Sequence, residues 1–343
     1  MNRRAEHVFQ AQFQSRDGDM IRCGLCPHGC RLNEGQTGLC GVRSVQGGTL
    51  VSLVYGRPVS VAVDPIEKKP LFHFLPGAET FSYATVGCNL ACAFCQNHSL
   101  SQVRGEPGRG KFVPPAALVE AAVQERSQVI AATYSEPTVF FEYALDVARL
   151  AQGRGIRNAF VTNGFISPEA LDAVLPYLDA ANVDLKAFSD ETYRKVCRGR
   201  LDPVLATIRR LREAGVWVEV TTLIVPGMND GAGELSGIAS FLASVDRDIP
   251  WHVSRFHPDY RMLDRSPTPP ATIELACRLG REAGLNHVYA GNLPAGPLEN
   301  TFCPGCNTLL IERHGFHVAL NRVAHGQCPD CAARIAGVWT PAS

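Results

Sequence analysis

The chain has 343 residues, 45% of them hydrophobic, and its 33 basic and 33 acidic side chains cancel to a net charge of zero. That length exceeds one small core and suits a large domain with smaller attachments. The balanced charge removes any global electrostatic case for a nucleic-acid or acidic-membrane partner. No run of eighteen apolar residues occurs, and the polar start MNRRAEHVFQAQFQSRDGD offers no signal peptide, so a cytoplasmic protein is expected. Thirteen cysteines in a reducing compartment point to metal rather than disulfides, and eleven of them fall into three compact groups. Cys197 and Cys277 stand alone in helix-like segments and read as packing residues.

The first group is Cys23-Gly-Leu-Cys26-Pro-His-Gly-Cys30, with Cys40 after nine more residues. Four thiolates at this spacing suit either zinc, which the glycine-rich knuckle favours, or an auxiliary iron–sulfur cluster. His28 reads as a turn residue. The segment Asp64–Phe74, DPIEKKPLFHF, either lines a substrate or joins this module to the barrel.

The second group, Cys88, Cys92 and Cys95 in TVGCNLACAFCQN, stops at three. Four-iron clusters are ordinarily held by four thiolates, so three leave one iron open to an outside ligand. A three-cysteine zinc site and buried apolar thiols are the alternatives.

From about Ser82 to Ala290, short apolar runs alternate with amphipathic stretches, the pattern of a β/α protein with a parallel sheet. Candidate strands are 82–86, 128–134, 158–161, 181–185, 216–223, 251–256 and 287–290, several apolar throughout as expected of strands covered on both faces. Ser167-Pro168 and Asp202-Pro203 each place a capping side chain before a proline at the first helical position, and Gly215 ends the second helix. A polar cluster succeeds almost every strand: the cysteines, then Ser135-Glu136, Thr162-Asn163, Asp184-Leu185-Lys186, the 226–229 turn and His257. In β/α barrels that carboxyl face is where active sites are built. The basic residues Arg194, Lys195, Arg198 and Arg200 read as a solvated helix end.

The third group, Cys303-Pro-Gly-Cys306 and Cys328-Pro-Asp-Cys331, has the spacing of a four-thiolate zinc ribbon, with two short strands between the knuckles and a redox dithiol pair as the alternative. His314, His317 and His325 read as surface residues of that hairpin. The chain thus divides into a cysteine-rich module and connector (1–75), a partial (β/α)6-type TIM barrel (76–298) and a zinc-ribbon-like module (299–343).

The segments DPIEKKPLFHF, GCNLACAFCQN, TYSEPT, VTNGF, NVDLKAF and the late GVW together resemble the radical S-adenosylmethionine (SAM) enzymes of the AmmeMemoRadiSam group, which are similar to pyruvate formate-lyase activating enzymes. The resemblance implies a 4Fe-4S cluster on Cys88, Cys92 and Cys95, whose open iron takes the amino and carboxylate end of SAM. It implies that the backbone at Phe94 meets the adenine and that Ser135 and Glu136 bind the methionyl amino group. Thr162, Asn163, Asp184 and Lys186 would line the carboxylate and ribose side, and His257 would contact the ribose. Related activating enzymes carry an acidic residue where this chain has Val161, so the resemblance brings no monovalent-cation site with it. The implied chemistry is reductive cleavage of SAM to a 5′-deoxyadenosyl radical, with a one-electron donor such as flavodoxin or ferredoxin. The implied substrates are a partner protein that acquires a glycyl radical, or a small molecule or peptide. A zinc-ribbon binding adaptor with a vestigial barrel is the alternative of another class.

Overall fold

The computed structural model describes residues 9–103, 109–293 and 296–340; the first eight residues of the expected polar start lie outside them. Six short strands come first: β1 (Phe9–Gln10), β2 (Gln14–Asp17), β3 (Met20–Cys23), β4 (Arg31–Leu32), β5 (Arg43–Gln46) and β6 (Thr49–Ser52), forming two small antiparallel sheets. The main sheet comes next, with β7 (Ser60–Pro65), β8 (Glu79–Ala84), β9 (Val129–Ala132), β10 (Arg157–Thr162), β11 (Ala180–Asp184), β12 (Trp217–Ile224), β13 (Trp251–Arg255) and β14 (Val288–Gly291). The last three, β15 (Thr301–Phe302), β16 (Leu309–His314) and β17 (His317–Asn321), make a separate antiparallel sheet.

The main sheet runs in chain order from β7 at one edge to β14 at the other, all of its pairings parallel except β7 with β8. It is an open, partial barrel with crossover helices outside. Those helices include Pro115–Gln124, Phe141–Gln152, Leu201–Glu213, Ala232–Val245 and Pro270–Glu282. All seven expected strands are present. The eighth, β7, escapes a reading by apolar runs because its pattern goes against the rule: Val61 and Val63 point outward, 48% and 38% exposed.

Ser167 caps its helix by accepting from Ala170 N–H at 3.3 Å. The next helix departs from expectation and begins at Leu201, one residue before Asp202. Its first N–H is satisfied from outside, by Asp190 Oδ1 at 3.0 Å, which moves the start. Gly215 takes the left-handed conformation after that helix, φ 82°.

The amino-terminal ends of the barrel strands are closed by the Asp64–Phe74 segment, whose role the sequence leaves open. Glu219, fully buried in β12, accepts from Phe72 N–H (2.9 Å), His73 N–H (2.7 Å), Trp217 Nε1–H (2.9 Å) and His252 Nε2 (2.6 Å). His73 donates Nδ1–H to the Ala336 carbonyl at 2.8 Å, since a carbonyl only accepts, and its Nε2 accepts from the Tyr289 hydroxyl at 2.6 Å. Leu75 and His73 also exchange backbone hydrogen bonds with Val338, so the DPIEKKPLFHF and GVW segments meet. Arg313 of β16 completes the join, donating to the Phe72 carbonyl and to Thr301 Oγ1, both at 2.8 Å. The segment therefore seats the carboxyl-terminal module on the barrel floor, at the end opposite the cysteine loop.

Burial holds two floor histidines neutral: His73 titrates well below its ordinary value, and His287 is pushed down from 6.5 to about 4. As pH falls from 6.5 the unfolded chain takes up a proton that folded His287 refuses, and stability drops until about pH 4. His287 alone should cost about 3 kcal/mol across that window. Urea unfolding of wild type and His287→Gln between pH 7 and pH 4 checks this: the variant should lose distinctly less stability, and equal slopes would contradict the assignment.

Candidate functional site

Cys88, Cys92 and Cys95 lie on the loop that leaves the carboxyl end of β8. Gly87 opens that loop at φ 104°, a conformation costly for any side chain. Neighbouring backbone then fixes its course: Ala91 N–H donates to the Cys197 carbonyl (2.8 Å), Ala93 N–H to the Val196 carbonyl (3.1 Å) and Arg261 N–H to the Ala93 carbonyl (3.0 Å).

Burial pushes the Cys88 thiol well up, with Glu136 adding to the effect, and also raises Cys95. Cys92 is lowered because the Cys197 thiol donates to it, with Lys186 assisting. Cys197, a packing residue by its sequence context, is fully buried as expected, but its thiol backs a candidate ligand. Spacing gives no sign of this, since the two cysteines lie far apart in the chain.

Glu136, Thr162 and Asn163 come together at the tops of β9 and β10. Glu136 is buried and accepts from Thr138 N–H (3.0 Å), Thr138 Oγ1 (2.7 Å), Thr162 Oγ1 (2.7 Å) and Asn163 N–H (2.8 Å). Asn163 Nδ2 donates to Asn89 Oδ1 at 2.9 Å and faces Cys88 Sγ at 3.5 Å, while its Oδ1 accepts from Phe165 N–H at 2.8 Å. The expected cofactor-side residues Glu136, Thr162 and Asn163 are thus joined to one another. Buried polar groups take the partners within reach, and these spend their hydrogen bonds on one another and on the cysteine loop. Burial raises Glu136, and its four donors pull it back.

Ser135, beside them, has a buried hydroxyl with no hydrogen-bond partner in the structure. Such an orphan suits a ligand group arriving from outside.

Burial works against the Lys186 ammonium, but Asp184, 2.9 Å away, and Cys92 hold its pKa well above the ordinary value. The ammonium stands 6.0 Å from the centre of the buried Phe94 ring. His257 lies exposed on the loop after β13, within 3.3 Å of Gln96 Nε2, next to Cys95. Ser135, Asp184, Lys186 and His257 thus stand on βα loops or strand ends of the cysteine face.

At the other end, Cys303, Cys306, Cys328 and Cys331 close on one another. Their sulfurs all lie within 4.8 Å, with Cys303–Cys331 at 3.5 Å and Cys306–Cys328 at 3.7 Å. A tetrahedral ion with metal–sulfur bonds of ~2.3 Å separates its sulfurs by ~3.8 Å. These four thiols therefore fit one metal ion. His314 and His317 are exposed on the hairpin, as expected, and His325 is exposed on the turn that follows it.

Fold and cysteine loop define a class of enzyme that works at the carboxyl ends of an open parallel barrel. The family model described as the Radical SAM superfamily matches residues 82–235, and the chain belongs to that superfamily. Membership implies SAM and a 4Fe-4S cluster as cofactors. An uncharacterized protein of Methanocaldococcus jannaschii is 42% identical over 326 residues, 94% of this chain and 97% of that one. The pyruvate formate-lyase-activating enzyme of Clostridium pasteurianum is 22% identical over 209 residues, 55% of this chain and 84% of that enzyme. Among solved structures, a radical SAM methyltransferase from Sphaerobacter thermophilus superposes with a TM-score of 0.51 at 15% identity, covering 82% of this chain and 76% of its own, a likeness of fold alone.

With a cluster held on the triad, Cys197→Ala would remove the thiol set against Cys92, and the variant should keep its iron while the reduction potential falls by roughly tens of millivolts. Iron analysis with a redox titration monitored by paramagnetic resonance checks this. Loss of iron in the variant would instead make Cys197 a ligand.

Proposed function

We propose that the chain is a radical SAM enzyme of the AmmeMemoRadiSam type that cleaves SAM reductively and uses the resulting radical on a partner protein. The observation that carries the reading is the triad Cys88, Cys92 and Cys95 on one braced loop, backed by Asn163, with the unpartnered Ser135 hydroxyl on a neighbouring strand-end loop of the same face. Bound there, cluster and SAM would supply one-electron scission of a carbon–sulfur bond, giving methionine and a 5′-deoxyadenosyl radical.

The chain's own part is to bind, orient and exclude water. Ser135 offers its hydroxyl to the methionyl end of SAM. Glu136, Thr162 and Asn163 act one step back, fixing the strand ends on which that hydroxyl and the Cys88 loop sit. Lys186, held charged by Asp184, faces the cofactor's carboxylate, and Asp184 and His257 stand toward its ribose, with the backbone at Phe94 along the adenine. No side chain is called on as a general acid or base.

The activating-enzyme relatives support a protein substrate, and glycyl-radical formation is the modification their likeness favours. A reductant of the flavodoxin or ferredoxin kind would feed the cluster. The carboxyl-terminal four-cysteine set would hold zinc, stapling a module too small to sustain its own core. No helix among the described residues is long and apolar enough to cross a membrane.

Anaerobic incubation with SAM and a low-potential reductant should release 5′-deoxyadenosine and methionine in equal amounts. Ser135→Ala should weaken SAM binding by roughly tenfold, about 1.4 kcal/mol, and alanine at all three of Cys88, Cys92 and Cys95 should abolish cleavage. Undiminished product from the triple variant would overturn the assignment.

A further inference from the structure

The amino-terminal cysteines meet in space. Cys23 closes β3, Cys26 and Cys30 stand on the turn beyond it, and Cys40 precedes β5. The turn is closed by Cys23 N–H to the Cys30 carbonyl at 2.8 Å and Gly29 N–H to the Cys26 carbonyl at 3.1 Å. All four line one cavity of about 20 Å³ with His28, Arg43 and Asn89, more than the ~10–15 Å³ a single water needs.

Three features distinguish this site from the carboxyl-terminal one. Its sulfurs do not close to the 4.8 Å spacing that marks the carboxyl-terminal four among the described residues. A four-iron cube holds its thiolates further apart than one ion does, because each sulfur stands on its own iron. Arg43, 1% exposed, lines the cavity with its Nη atoms engaged by Glu142 and the Gln12 carbonyl, yet its Nε–H is buried without a partner. An orphan N–H beside four thiols suits a cluster sulfur as acceptor. Finally, the site touches the Cys88 loop. His28 Nε2–H donates to the Asn89 carbonyl at 2.7 Å, and Asn89 Oδ1 accepts from the Asn163 amide that faces Cys88 Sγ. Gly87 lies so close that a Cβ there would come within 2.6 Å of Val42 and 3.1 Å of the Cys40 carbonyl.

We infer that Cys23, Cys26, Cys30 and Cys40 hold a second iron–sulfur cluster, placed to pass electrons to the one on Cys88, Cys92 and Cys95. The relay rests on the radical SAM reading of that triad. Four thiolates leave no open iron, so this cluster binds neither SAM nor substrate, and electron transfer is the chemistry left to it. One electron enters from a low-potential flavin- or iron–sulfur-bearing donor protein, which is oxidised by one electron, and one electron leaves to the Cys88 cluster. No atom or proton moves. Exposed Arg22 and Arg200, the latter bonded to the Pro27 carbonyl at 2.9 Å, put positive charge beside the knuckle, which suits an acidic donor.

The test is iron and zinc analysis with paramagnetic resonance of the dithionite-reduced full-length protein, prepared anaerobically. Wild type is set beside Cys26→Ala/Cys30→Ala and the Cys88, Cys92, Cys95 triple alanine variant. About eight irons and one zinc are expected in wild type and about four irons in each variant. The wild-type spectrum should be broadened by interaction between two neighbouring clusters, and neither variant should show that broadening. Four irons and two zincs in wild type, with an iron-free triple variant, would make the amino-terminal site a zinc site and overturn the proposal while sparing the triad. Two clusters without spin interaction would overturn the relay. Full iron in the triple variant, lost on changing Cys26 and Cys30, would uphold the second site and overturn the reading of the triad. Wild-type stoichiometry decides between iron and zinc even should a variant fail to fold.

Discussion

A carboxylate taken out of water must find its donors inside the protein, and the organisation of the cysteine face depends on how Glu136 does so. Its two oxygens gather four donors from Thr138, Thr162 and Asn163, locking together the tops of β9 and β10. Because Asn163 is held by its backbone, its side chain is free to grip Asn89 and face Cys88. Asn89 in turn meets His28 of the amino-terminal knuckle. One buried carboxyl group thereby links two cysteine groups that lie far apart in the chain.

The barrel floor repeats the same physics with a different purpose. Glu219 also sits fully buried with four donors, but its partners belong to the Asp64–Phe74 segment, to β12 itself through Trp217 and to β13. Arg313, buried and stacked 4.2 Å over the Phe72 ring, extends that knot into the carboxyl-terminal module. The two ends of the barrel are thus specialised: one is sealed and structural, the other carries the cysteine loop and the polar strand ends.

Much of this is legible in the sequence, because hydrophobic runs and cysteine spacing are local signals. The seven parallel strands, the hairpin between Cys306 and Cys328, and the carboxyl-terminal four-cysteine set all depend on residues within a few tens of positions of one another. Features that escape a sequence reading depend on contacts between distant segments. Nearer by, Asp190 moves a helix start to Leu201 from eleven residues upstream, a gap that no capping pattern spans. Cys197 looks like packing until the fold sets it against Cys92. Asp64–Phe74 has no periodicity of its own, since its shape answers to Glu219 and Val338. At the site, the polar residue types and their clustering are plain from the sequence, but which of them face inward is decided by burial: Glu136 turns to its neighbours and Ser135 is left with the open hydroxyl.

The central claim is that three thiolates leave one iron open and that SAM takes it. The most direct measurement is electron–nuclear double resonance of the reduced protein with SAM labelled by nitrogen-15 at its amino group and oxygen-17 at its carboxylate. Couplings from both labels to the cluster on Cys88, Cys92 and Cys95 are predicted, lost when those cysteines are replaced. A reduced cluster that shows neither coupling while SAM is bound would contradict the account.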